Sequence, residues 1–505
     1  MLRTPYVSAC VLATLAGSAY AQSARSYHVR TDKSGTYLVR DVSPFARPRP
    51  AAGADSVLWT YPDPVAIPES CSLSLFSGSA WVGRQLNNER LQHFAIAGNG
   101  TPTYEVLGHH ATFNPAAVAS AAGADLAVFL DQVAQGGAFI LTAFRSGSAE
   151  PVWVYNIPED FNSADGFSCK VSRDGSTVAV IVAGPPTTNP NASTAAAFFL
   201  NGADGTLRGS WTDPNGGCNG IDLTDDGSLA ITCQAQPPAG FGRLINTSTG
   251  AVVQSFTGNG AGGRYQISGD GNVIVIGGFD FRVFVKVNGV YTQRITFSAS
   301  GEWYSWASAV SHDGSTVGAL AHNYLANYLN TSTRMWDVAS GQLLGTYSTV
   351  GSGTLQDSAW GAAMADNGSR MAACSWGDQA VSHPQVMVFD RAVHLIGSIT
   401  TTGSPFSLDL SGDGQYVLAG NKSVHANVFG NGGMVTLLQL PTASCYANCD
   451  SSTTAPVLNV LDFTCFLNKF AAGDSYANCD HSTTAPVLNV LDFTCFLNSF
   501  AAGCT

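Results

Sequence analysis

The chain has 505 residues, too many for one small domain at ~100–200 residues each, so it forms several units or one large closed architecture. Charged residues make up 11% of it, hydrophobic residues 45%, and it contains 54 glycines, a composition that excludes long charged helices, coiled coils and a disordered polyelectrolyte. The net charge of −12, without any basic run, excludes nucleic acid as a partner.

Residues 1–21 have the pattern of a bacterial export signal. Arg3 supplies a positive start, Val7–Leu15 a short apolar stretch, and Ala19-Tyr20-Ala21 a small-x-small cleavage site. The stretch is shorter than the ~20 residues that cross a bilayer, so no membrane span is expected. We therefore expect a secreted protein, extracellular or associated with the cell surface, whose cysteines form disulfides. Residues 22–54 follow as an N-terminal segment.

A turn motif recurs through the middle of the chain: a small polar residue, any residue, Asp-Gly or a relative, and then an apolar run. Such turns between apolar runs are the strongest short signal of a hairpin, because Gly accepts the positive φ required. The Asp residues are expected to bond their own backbone and shape the turn. The turn glycines are Gly78, Gly123, Gly175, Gly227, Gly271, Gly314, Gly368 and Gly414.

The spacing of these glycines, 43 to 54 residues, is typical of one propeller blade. A second turn about 20 residues later, as in Asn246–Gly250 and Asp337–Gly341, gives each period about four strands. We predict a mainly β fold, a β-propeller over residues 55–440 with seven or eight blades. Eight are favoured, and seven remain open because the first two copies are degenerate. Val57–Tyr61 is expected to close the ring against the last blade, and stacked β-sandwiches are the alternative fold.

On these turns the chain resembles the broad class of WD40-like and quinoprotein-like propellers. The resemblance implies architecture alone, because such blades host unrelated functions. Quinoprotein dehydrogenases use PQQ, but no adjacent cysteine pair extends the likeness that far, and neither PQQ nor haem is expected. Zinc is not expected either, since no Cys-x-x-Cys occurs.

The carboxy-terminal segment, residues 441–505, contains a close internal repeat. Tyr446–Gly473 and Tyr476–Gly503 differ at only two of 28 aligned positions. Each copy has a polar loop followed by apolar residues at i, i+3, i+4 and i+7, which predicts a helix with one apolar face. In the first copy these residues are Phe463, Phe466, Leu467 and Phe470. Two short helices with such faces must pack together.

Cysteines are expected to staple this segment, because small secreted domains have cores too small to hold alone. The repeat symmetry favours pairing each loop start with its own helix, which leaves one cysteine at either end to close the segment. In the propeller, two cysteines flank a single turn and are predicted to pair. The predicted bridges are Cys449–Cys465, Cys479–Cys495, Cys445–Cys504 and Cys218–Cys233.

A loop of spaced oxygen-bearing residues running into a helix with an acid in its first turn follows the design of an EF-hand calcium loop. The duplicated loop and helix resembles a dockerin module, particularly its cysteine-bearing bacterial relatives. The resemblance implies weak calcium binding, at ~10⁻⁴–10⁻³ M, although each loop has fifteen positions and no Gly at the sharp turn. The implied ligands are Asn448, Asp450, Ser452 (or Thr454), Val457, Asn459 and Asp462, then Asn478, Asp480, Ser482, Val487, Asn489 and Asp492.

A dockerin binds a cohesin, and the resemblance implies that the residues before each final acid face that partner. Here they are the apolar pairs Val460-Leu461 and Val490-Leu491. Two nearly identical copies suggest a pseudo-twofold module that a cohesin-like or cell-surface partner grips in either orientation. A recent duplication without selection for symmetry is the alternative.

The large domain shows no assembled catalytic signature, so we favour a non-catalytic binding or scaffold propeller, displayed or anchored through the C-terminal module. Aromatic residues stand where the inner strands begin and would ring one end of the channel, where they suit sugar rings or peptides. The candidate ligand-binding residues are Arg264, Trp303, Trp306, Trp360 and Phe406.

An enzyme remains the alternative: a carbohydrate-active propeller, hydrolase or lyase, attached to a cell-surface complex. Glycoside hydrolysis needs paired carboxylates, for which Asp357 and Glu302 are candidates without a defined spacing. His109-His110 could join a metal site but lacks a third ligand in register. A structural surface-layer role is a third possibility.

Overall fold

The computed structural model describes most of the chain. The described residues are 27–32, 35–41, 56–85, 91–108, 117–133, 137–184, 194–214, 220–234, 241–257, 264–297, 303–428, 430, 432–440, 447–450, 452, 457–479 and 485–502. Within them, 34 strands form eight sheets, and two helices follow.

Three strands precede the first complete blade: β1 (Tyr27–Asp32), β2 (Gly35–Asp41) and β3 (Ser56–Asp63). Blade 1 contains β4 (Ile67–Ser74), β5 (Ser79–Gln85), β6 (Leu91–Ala95) and β7 (Tyr104–Val106). Blade 2 contains β8 (Ala117–Ser120), β9 (Ala127–Gln132), β10 (Phe139–Arg145) and β11 (Ser148–Asn156). Blade 3 contains β12 (Cys169–Val171), β13 (Thr177–Ala183), β14 (Ala195–Asn201) and β15 (Leu207–Asp213). Blade 4 contains β16 (Gly220–Leu223), β17 (Leu229–Gln234), β18 (Phe241–Asn246) and β19 (Val252–Thr257).

The second half of the ring repeats this plan. Blade 5 contains β20 (Tyr265–Ile267), β21 (Val273–Ile276), β22 (Phe281–Val287) and β23 (Val290–Phe297). Blade 6 contains β24 (Trp303–Val310), β25 (Thr316–Asn323), β26 (Asn330–Asp337) and β27 (Leu343–Val350). Blade 7 contains β28 (Ala359–Met364), β29 (Arg370–Ser375), β30 (Val386–Asp390) and β31 (Leu395–Ile399). Blade 8 contains β32 (Pro405–Leu410), β33 (Tyr416–Lys422) and β34 (Gly433–Gln439), with β3 as its outermost strand.

The eight sheets close into a ring. The first strand of each blade contacts the first strand of the next, and β32 of blade 8 contacts β4 of blade 1. Apolar clusters fill the space between neighbouring sheets, as where Val128 and Leu130 of blade 2 pack with Val178 and Val180 of blade 3. The protein is therefore an eight-bladed β-propeller. The prediction of a mainly β propeller with eight blades is confirmed, and stacked sandwiches are excluded.

The ring is closed by a strand from the opposite end of the chain. β3 pairs antiparallel with β34, so blade 8 combines segments from before and after the other seven. Trp59 on β3 is buried, stacks on Phe94 of blade 1 at 5.1 Å, and donates its indole N–H to the Ile96 carbonyl at 3.2 Å. The closing strand predicted at Val57–Tyr61 occupies this position.

Blade 1 is wider than the others. β2 pairs with β7 and β1 pairs with β2, which makes a six-stranded sheet. No repeat signal predicts this extension, because β1 and β2 have no counterpart in the other blades.

The recurrent turns have the geometry that Asp-Gly implies. Seven of the eight turn glycines have φ between 62° and 73°, Gly123 being the exception. In the blade 3 turn, the Asp174 carboxylate accepts the Ser172 hydroxyl at 2.7 Å and the Ser176 N–H at 2.8 Å. Asp174 thus shapes the turn, as expected.

The C-terminal helices α1 (Val460–Ala472) and α2 (Val490–Ala502) pack through their phenylalanines. Phe466 and Phe496 are buried and stack at 4.2 Å. Asn459 and Asp462 form a capping box at the start of α1, and Gly473, with φ 71°, ends it. Leu467, predicted on the packed face, is instead 41% exposed, because the phenylalanines alone fill the contact.

Two predicted disulfides join each loop to its own helix. Cys449–Cys465 and Cys479–Cys495 have S–S distances of 2.00 and 1.98 Å. Both cysteines of the predicted bridge Cys445–Cys504, and Cys218 of the predicted bridge Cys218–Cys233, lie outside the described residues. Cys71, Cys169 and Cys374 of the propeller are free thiols.

Candidate functional site

One end of the channel is surrounded by the starts of the inner strands. In four consecutive blades, 6, 7, 8 and 1, the inner strand is bulged at this level, where Trp306, Trp360, Phe406 and Glu69 stand. A bulge bends its strand and re-aims a side chain, and bulges often adjoin functional sites. We call this end the channel mouth.

Aromatic side chains of blades 6 to 8 form a continuous cluster at the mouth. Trp306 and Trp360 are stacked at 6.3 Å, and Trp360 lies 5.0 Å from Phe406. Trp376, which follows β29, lies 5.8 Å from Trp360 and 6.3 Å from Phe406. We call these four residues the aromatic rim. All four are only partly buried, so ring surface stays accessible to a ligand.

Hydrogen bonds fix part of the rim, and two of its indole donors are buried. The Trp360 indole N–H donates to the Phe406 carbonyl at 2.8 Å, which ties blade 7 to blade 8. The indole nitrogens of Trp306 and Trp376 are buried and have no hydrogen-bond partner among the described residues. A buried donor without a partner is costly, so each of these two nitrogens destabilises the rim as it stands.

Arg264 extends the cluster across blade 5. Its guanidinium lies 3.5 Å from the Phe167 ring centroid and 5.6 Å from that of Trp306, and it pairs with Asp165 at 3.2 Å. Its backbone N–H donates to the Trp306 carbonyl at 2.9 Å. Cation–π contacts and the ion pair therefore hold the guanidinium at the mouth.

The structure brings four of the five candidate ligand residues together: Arg264, Trp306, Trp360 and Phe406. Trp303 lies apart, with its ring 5.9 Å from the Arg334 guanidinium. β24 is bulged at Ser305–Trp306, so Trp303 does not occupy the position that Trp360 and Phe406 occupy in their blades. Sequence reasoning missed Trp376, because it follows a second strand instead of preceding a first one.

Beneath the mouth lies a cavity of about 160 Å³, to which all eight inner strands contribute. Its wall combines polar and apolar surface and includes hydroxyl groups, among them Ser72, Ser120 and Ser308. The charged residues of the wall are Glu69, Lys170, Asp222, Arg264 and Asp409.

The cavity charges are arranged around Lys170. Its ammonium group lies 3.1 Å from an oxygen of Asp222, whose charge raises the pKa of the lysine. The other Asp222 oxygen accepts the Ile267 N–H at 3.1 Å. Burial raises the pKa of Asp409 to about 6, although the N–H of Leu73, at 2.7 Å, and the charge of Lys170 act in the opposite direction.

Lys422 stands behind the rim in blade 8. Its ammonium donates to the carbonyls of Ala426, at 3.1 Å, and Val428, at 2.6 Å, and lies 5.0 Å from the Phe406 ring centroid. Burial lowers its pKa to about 8, and the charge of Glu69 partly opposes this. Lys422 therefore supports the rim residue Phe406 and the loop after β33.

The residues considered for catalysis do not assemble into a site. Asp357 is fully buried, where it pairs with His383 at 2.8 Å and accepts the Gly377 N–H at 2.6 Å. Its carboxylate thus serves the loops of blade 7. Glu302, His109 and His110 lie outside the described residues. Across the described ranges, no three His, Cys, Asp or Glu side chains are placed to hold a metal ion.

The first C-terminal loop offers oxygens that fit a hard cation. The Asn448 side-chain oxygen is buried and lacks a hydrogen-bond partner in the described chain. Asp462, also buried, accepts the backbone N–H of Asn459 at 2.9 Å and of Asp450 at 3.3 Å. Ser452 donates its N–H to Asp450, while Val457 and Asn459 lead into α1. In the second copy Asn478, Val487, Asn489 and Asp492 are described, whereas Asp480 and Ser482 are not.

The apolar pairs at the helix starts are open to solvent. Val460 and Leu461 are 72% and 60% exposed, and Val490 and Leu491 are 71% and 60% exposed. The contacts between the helices are equally symmetric: Phe463–Phe496 and Phe466–Phe493 both measure 6.2 Å with interplanar angles of 49°. The module therefore presents two equivalent apolar patches. No helix in the described part of the chain is long and apolar enough to cross a membrane.

Comparison with known proteins supports the propeller fold and does not identify a function. The chain is similar to the crystal structure of the C-terminal WD40 domain of Sif2, with a TM-score of 0.52 and 14% identity, over 76% of this chain and 99% of that one. At this identity the likeness shows a shared WD40-like propeller fold alone. No protein-family model matches the sequence. No curated protein matches it either.

Proposed function

We propose that this protein is exported and acts as a non-catalytic binding or scaffold protein. Its propeller would hold a ligand at the channel mouth, and its C-terminal module would attach it to a partner outside the cell. The observation that carries the proposal is the convergence of Arg264, Trp306, Trp360 and Phe406, from four consecutive blades, on one face.

The chemistry of this face suits recognition. Half-buried aromatic rings offer flat apolar surface, and each loses little conformational freedom on binding. Trp306 and Trp376 add indole N–H groups that have no acceptor within the described residues. The flat, partly exposed ring surfaces match sugar rings and peptides.

Binding to a glycan and peptide array by the purified mature protein tests the proposal. Trp360→Ala should weaken binding about tenfold or more, as expected for a tryptophan at the centre of a binding face. Trp303→Ala is the matched control, because Trp303 lies outside the cluster, and it should bind as the wild type does. Equal losses in both variants, or no binding at all, would contradict the proposed site. Release of oligosaccharides would favour the alternative, a carbohydrate-active enzyme.

For the C-terminal module we infer dockerin-like binding to a cohesin-like partner through Val460-Leu461 or Val490-Leu491. Two equivalent exposed patches support two orientations of the complex. In a titration against a panel of purified cohesin domains, Leu461→Asp or Leu491→Asp alone should change the affinity about twofold, since losing one of two equal modes halves binding. The double variant should abolish binding, and Leu467→Asp, on an exposed part of α1, serves as control. Loss of binding from one single variant would defeat the two-orientation proposal.

Calcium is proposed for the loops of the same module. Asn448, Asp450 and Asp462 would hold the ion in the first copy, and it would supply charge neutralisation at the start of α1. Weak affinity predicts that CaCl₂ at about 5 mM raises the melting temperature of the helical signal relative to EDTA, and that Mg²⁺ does so less. Identical melting in Ca²⁺ and EDTA would mean that the loops are held by disulfides and hydrogen bonds alone.

A further inference from the structure

The channel end opposite the mouth is closed by the recurrent turns. In the turns of blades 4, 5 and 7, the residue before the Asp or Asn donates its backbone N–H to the turn of the next blade. Asp225 donates its N–H to the Gly269 carbonyl at 2.9 Å, and Gly269 donates to His312 at 2.9 Å. Asp366 donates to Gly412 at 2.8 Å. These bonds draw the turns of neighbouring blades together below the cavity.

Two ion pairs cross this closed end of the channel, which we call the floor. Arg173 of blade 3 pairs with Asp366 of blade 7 at 2.7 Å, and these blades stand opposite each other in a ring of eight. His312 of blade 6 contacts Asp225 of blade 4. A Cβ on Gly269 of the blade between them would lie 2.5 Å from the His312 ring nitrogen, so the pair passes directly over it. A bridge across the full diameter means that a chain cannot thread through the channel.

The charges of the cavity are compensated within the protein. Lys170 pairs with Asp222, Arg264 pairs with Asp165, and the charge of Glu69 is opposed by that of Lys422. Asp409, with its pKa raised to about 6, accepts two backbone N–H groups. A charged ligand would break these pairs and pay for their desolvation, whereas a neutral polar ligand would leave them intact.

Hydrogen-bonding capacity nevertheless remains in the wall. An ammonium group has three N–H donors, and Lys170, 44% exposed, has one ion-pair partner among the described residues. The Ser72 and Ser120 hydroxyls, 2.8 Å apart, add donor and acceptor positions at the same wall. The volume of about 160 Å³ is below the ~300 Å³ at which drug-sized pockets begin, so it accommodates one small ring.

We propose that the channel is a one-ended cup for the terminal ring of a neutral glycan, with the next sugars leaving over the aromatic rim. The inference rests on the proposed binding function and adds to it the ligand class, the chain end and the role of Lys170. Lys170 donates to ring hydroxyls, while the floor stops the chain from passing further.

The test uses the full mature protein on an array of neutral and acidic glycans attached through their reducing ends, so that the other end is free. Neutral glycans should be retained, and the free monosaccharide of the bound terminus should compete. Lys170→Met should weaken retention about tenfold, through loss of hydrogen bonds from a charged donor. Lys286→Met, the same change near the exposed end of β22, is the matched control and should bind as the wild type does.

A second variant guards against a folding artefact. Lys170→Met with Asp222→Asn removes the unpaired carboxylate that the single change leaves behind, and it should show the same loss of binding with wild-type melting. Retention of acidic glycans only, no competition by monosaccharide, or full binding by Lys170→Met would each overturn the cup. If Trp360→Ala still lost binding in those cases, the proposed binding function at the rim would stand and only the cup would be wrong. No retention of any glycan or peptide would overturn both.

Discussion

His383 is buried between two hydrogen-bond acceptors. One ring nitrogen lies 2.8 Å from the Asp357 carboxylate and the other 3.0 Å from the Pro384 carbonyl. A neutral imidazole has one N–H, so only the doubly protonated ring satisfies both acceptors. Burial lowers the pKa of His383, but the hydrogen bond and charge of Asp357 outweigh it, and the pKa is raised. The charged ring therefore fastens the two blade 7 loops that flank Trp376.

This arrangement predicts a stability that falls as the pH rises. Because the pKa of His383 is higher in the folded than in the unfolded state, its protonation favours folding. This stabilisation is complete below the unfolded pKa of ~6.5 and is lost as the pH rises past the folded pKa. At about pH 6, His383→Gln should cost about 1.5–3 kcal/mol in urea unfolding, and at about pH 9 clearly less. His394→Gln, in the exposed pair with Asp390, should cost little at either pH. A cost for His383→Gln that is constant or grows with pH would contradict this account.

Sequence reasoning identified some of these residues and missed others, because only some lie at positions that recur from blade to blade. Arg264, Trp306, Trp360 and Phe406 could be selected because the start of the inner strand recurs at a fixed distance before each Asp-Gly turn. Trp376 and His383 lie on loops between second and third strands, whose lengths differ from blade to blade. The pairing of His383 with Asp357, 26 residues apart, has no signature in one sequence.

At the scale of elements, the two turns of a blade are packed against each other. In blade 3, Gly202 donates its N–H to the Ser176 carbonyl at 2.9 Å. A Cβ at Gly202 would lie 1.8 Å from the Gly175 carbonyl oxygen, which belongs to backbone and cannot turn aside. The close approach of these turns therefore requires glycine.

Gly202→Ala should accordingly destabilise the propeller. The added methyl group forces the two turns apart, and overpacking of this kind costs about 1–3 kcal/mol. Thermal unfolding followed by tryptophan fluorescence measures the effect. Gly147→Ala, in an exposed turn where a Cβ would meet nothing within 4 Å, should be nearly neutral. Equal melting of the two variants would show that the turns can separate freely.

The helix pair offers a second prediction at this scale. Phe466 is fully buried at the contact of α1 with α2, whereas Leu467 is 41% exposed beside it. Removing a buried phenylalanine costs about 3–5 kcal/mol, a large part of what so small a core supplies. In the full chain, Phe466→Ala should lower the melting temperature of the ellipticity at 222 nm, and Leu467→Ala should not. A helical signal that melts unchanged in Phe466→Ala would mean that the disulfides alone hold the module.

The module was predictable in detail because its repeat is nearly exact: helices, apolar faces and two disulfides follow from aligning one copy with the other. β1 and β2 were not, since they have no repeat copy and extend the sheet of a single blade. Trp303 is an intermediate case. The sequence predicted the strand on which it lies, but not the bulge that places it away from the rim.

At the scale of the whole molecule, closure was the most predictable feature. Eight turns at a regular period require eight similar sheets, and a ring is the arrangement that leaves their edges protected. What no period specifies is the joint itself, where β3 meets β34 and Trp59 reaches across to Phe94 and Ile96. Trp59 thus adds a contact between the last blade and the first, beside the packing of β32 on β4 and the hydrogen bond from the Leu73 N–H to Asp409.

Trp59→Ala should therefore destabilise the propeller more than the loss of one side chain suggests. The change removes a buried side chain and its hydrogen bond at the joint, for about 3–5 kcal/mol, and loosening β3 exposes the edge of β34. We expect a lower urea midpoint, earlier proteolytic cleavage before β4 and concentration-dependent association on size exclusion. Val57→Ala, on the same strand but 51% exposed, should leave all three unchanged. If both variants behaved like the wild type, β3 would be held by its backbone pairing with β34 and by the contact of Tyr61 with Phe94, and not by Trp59.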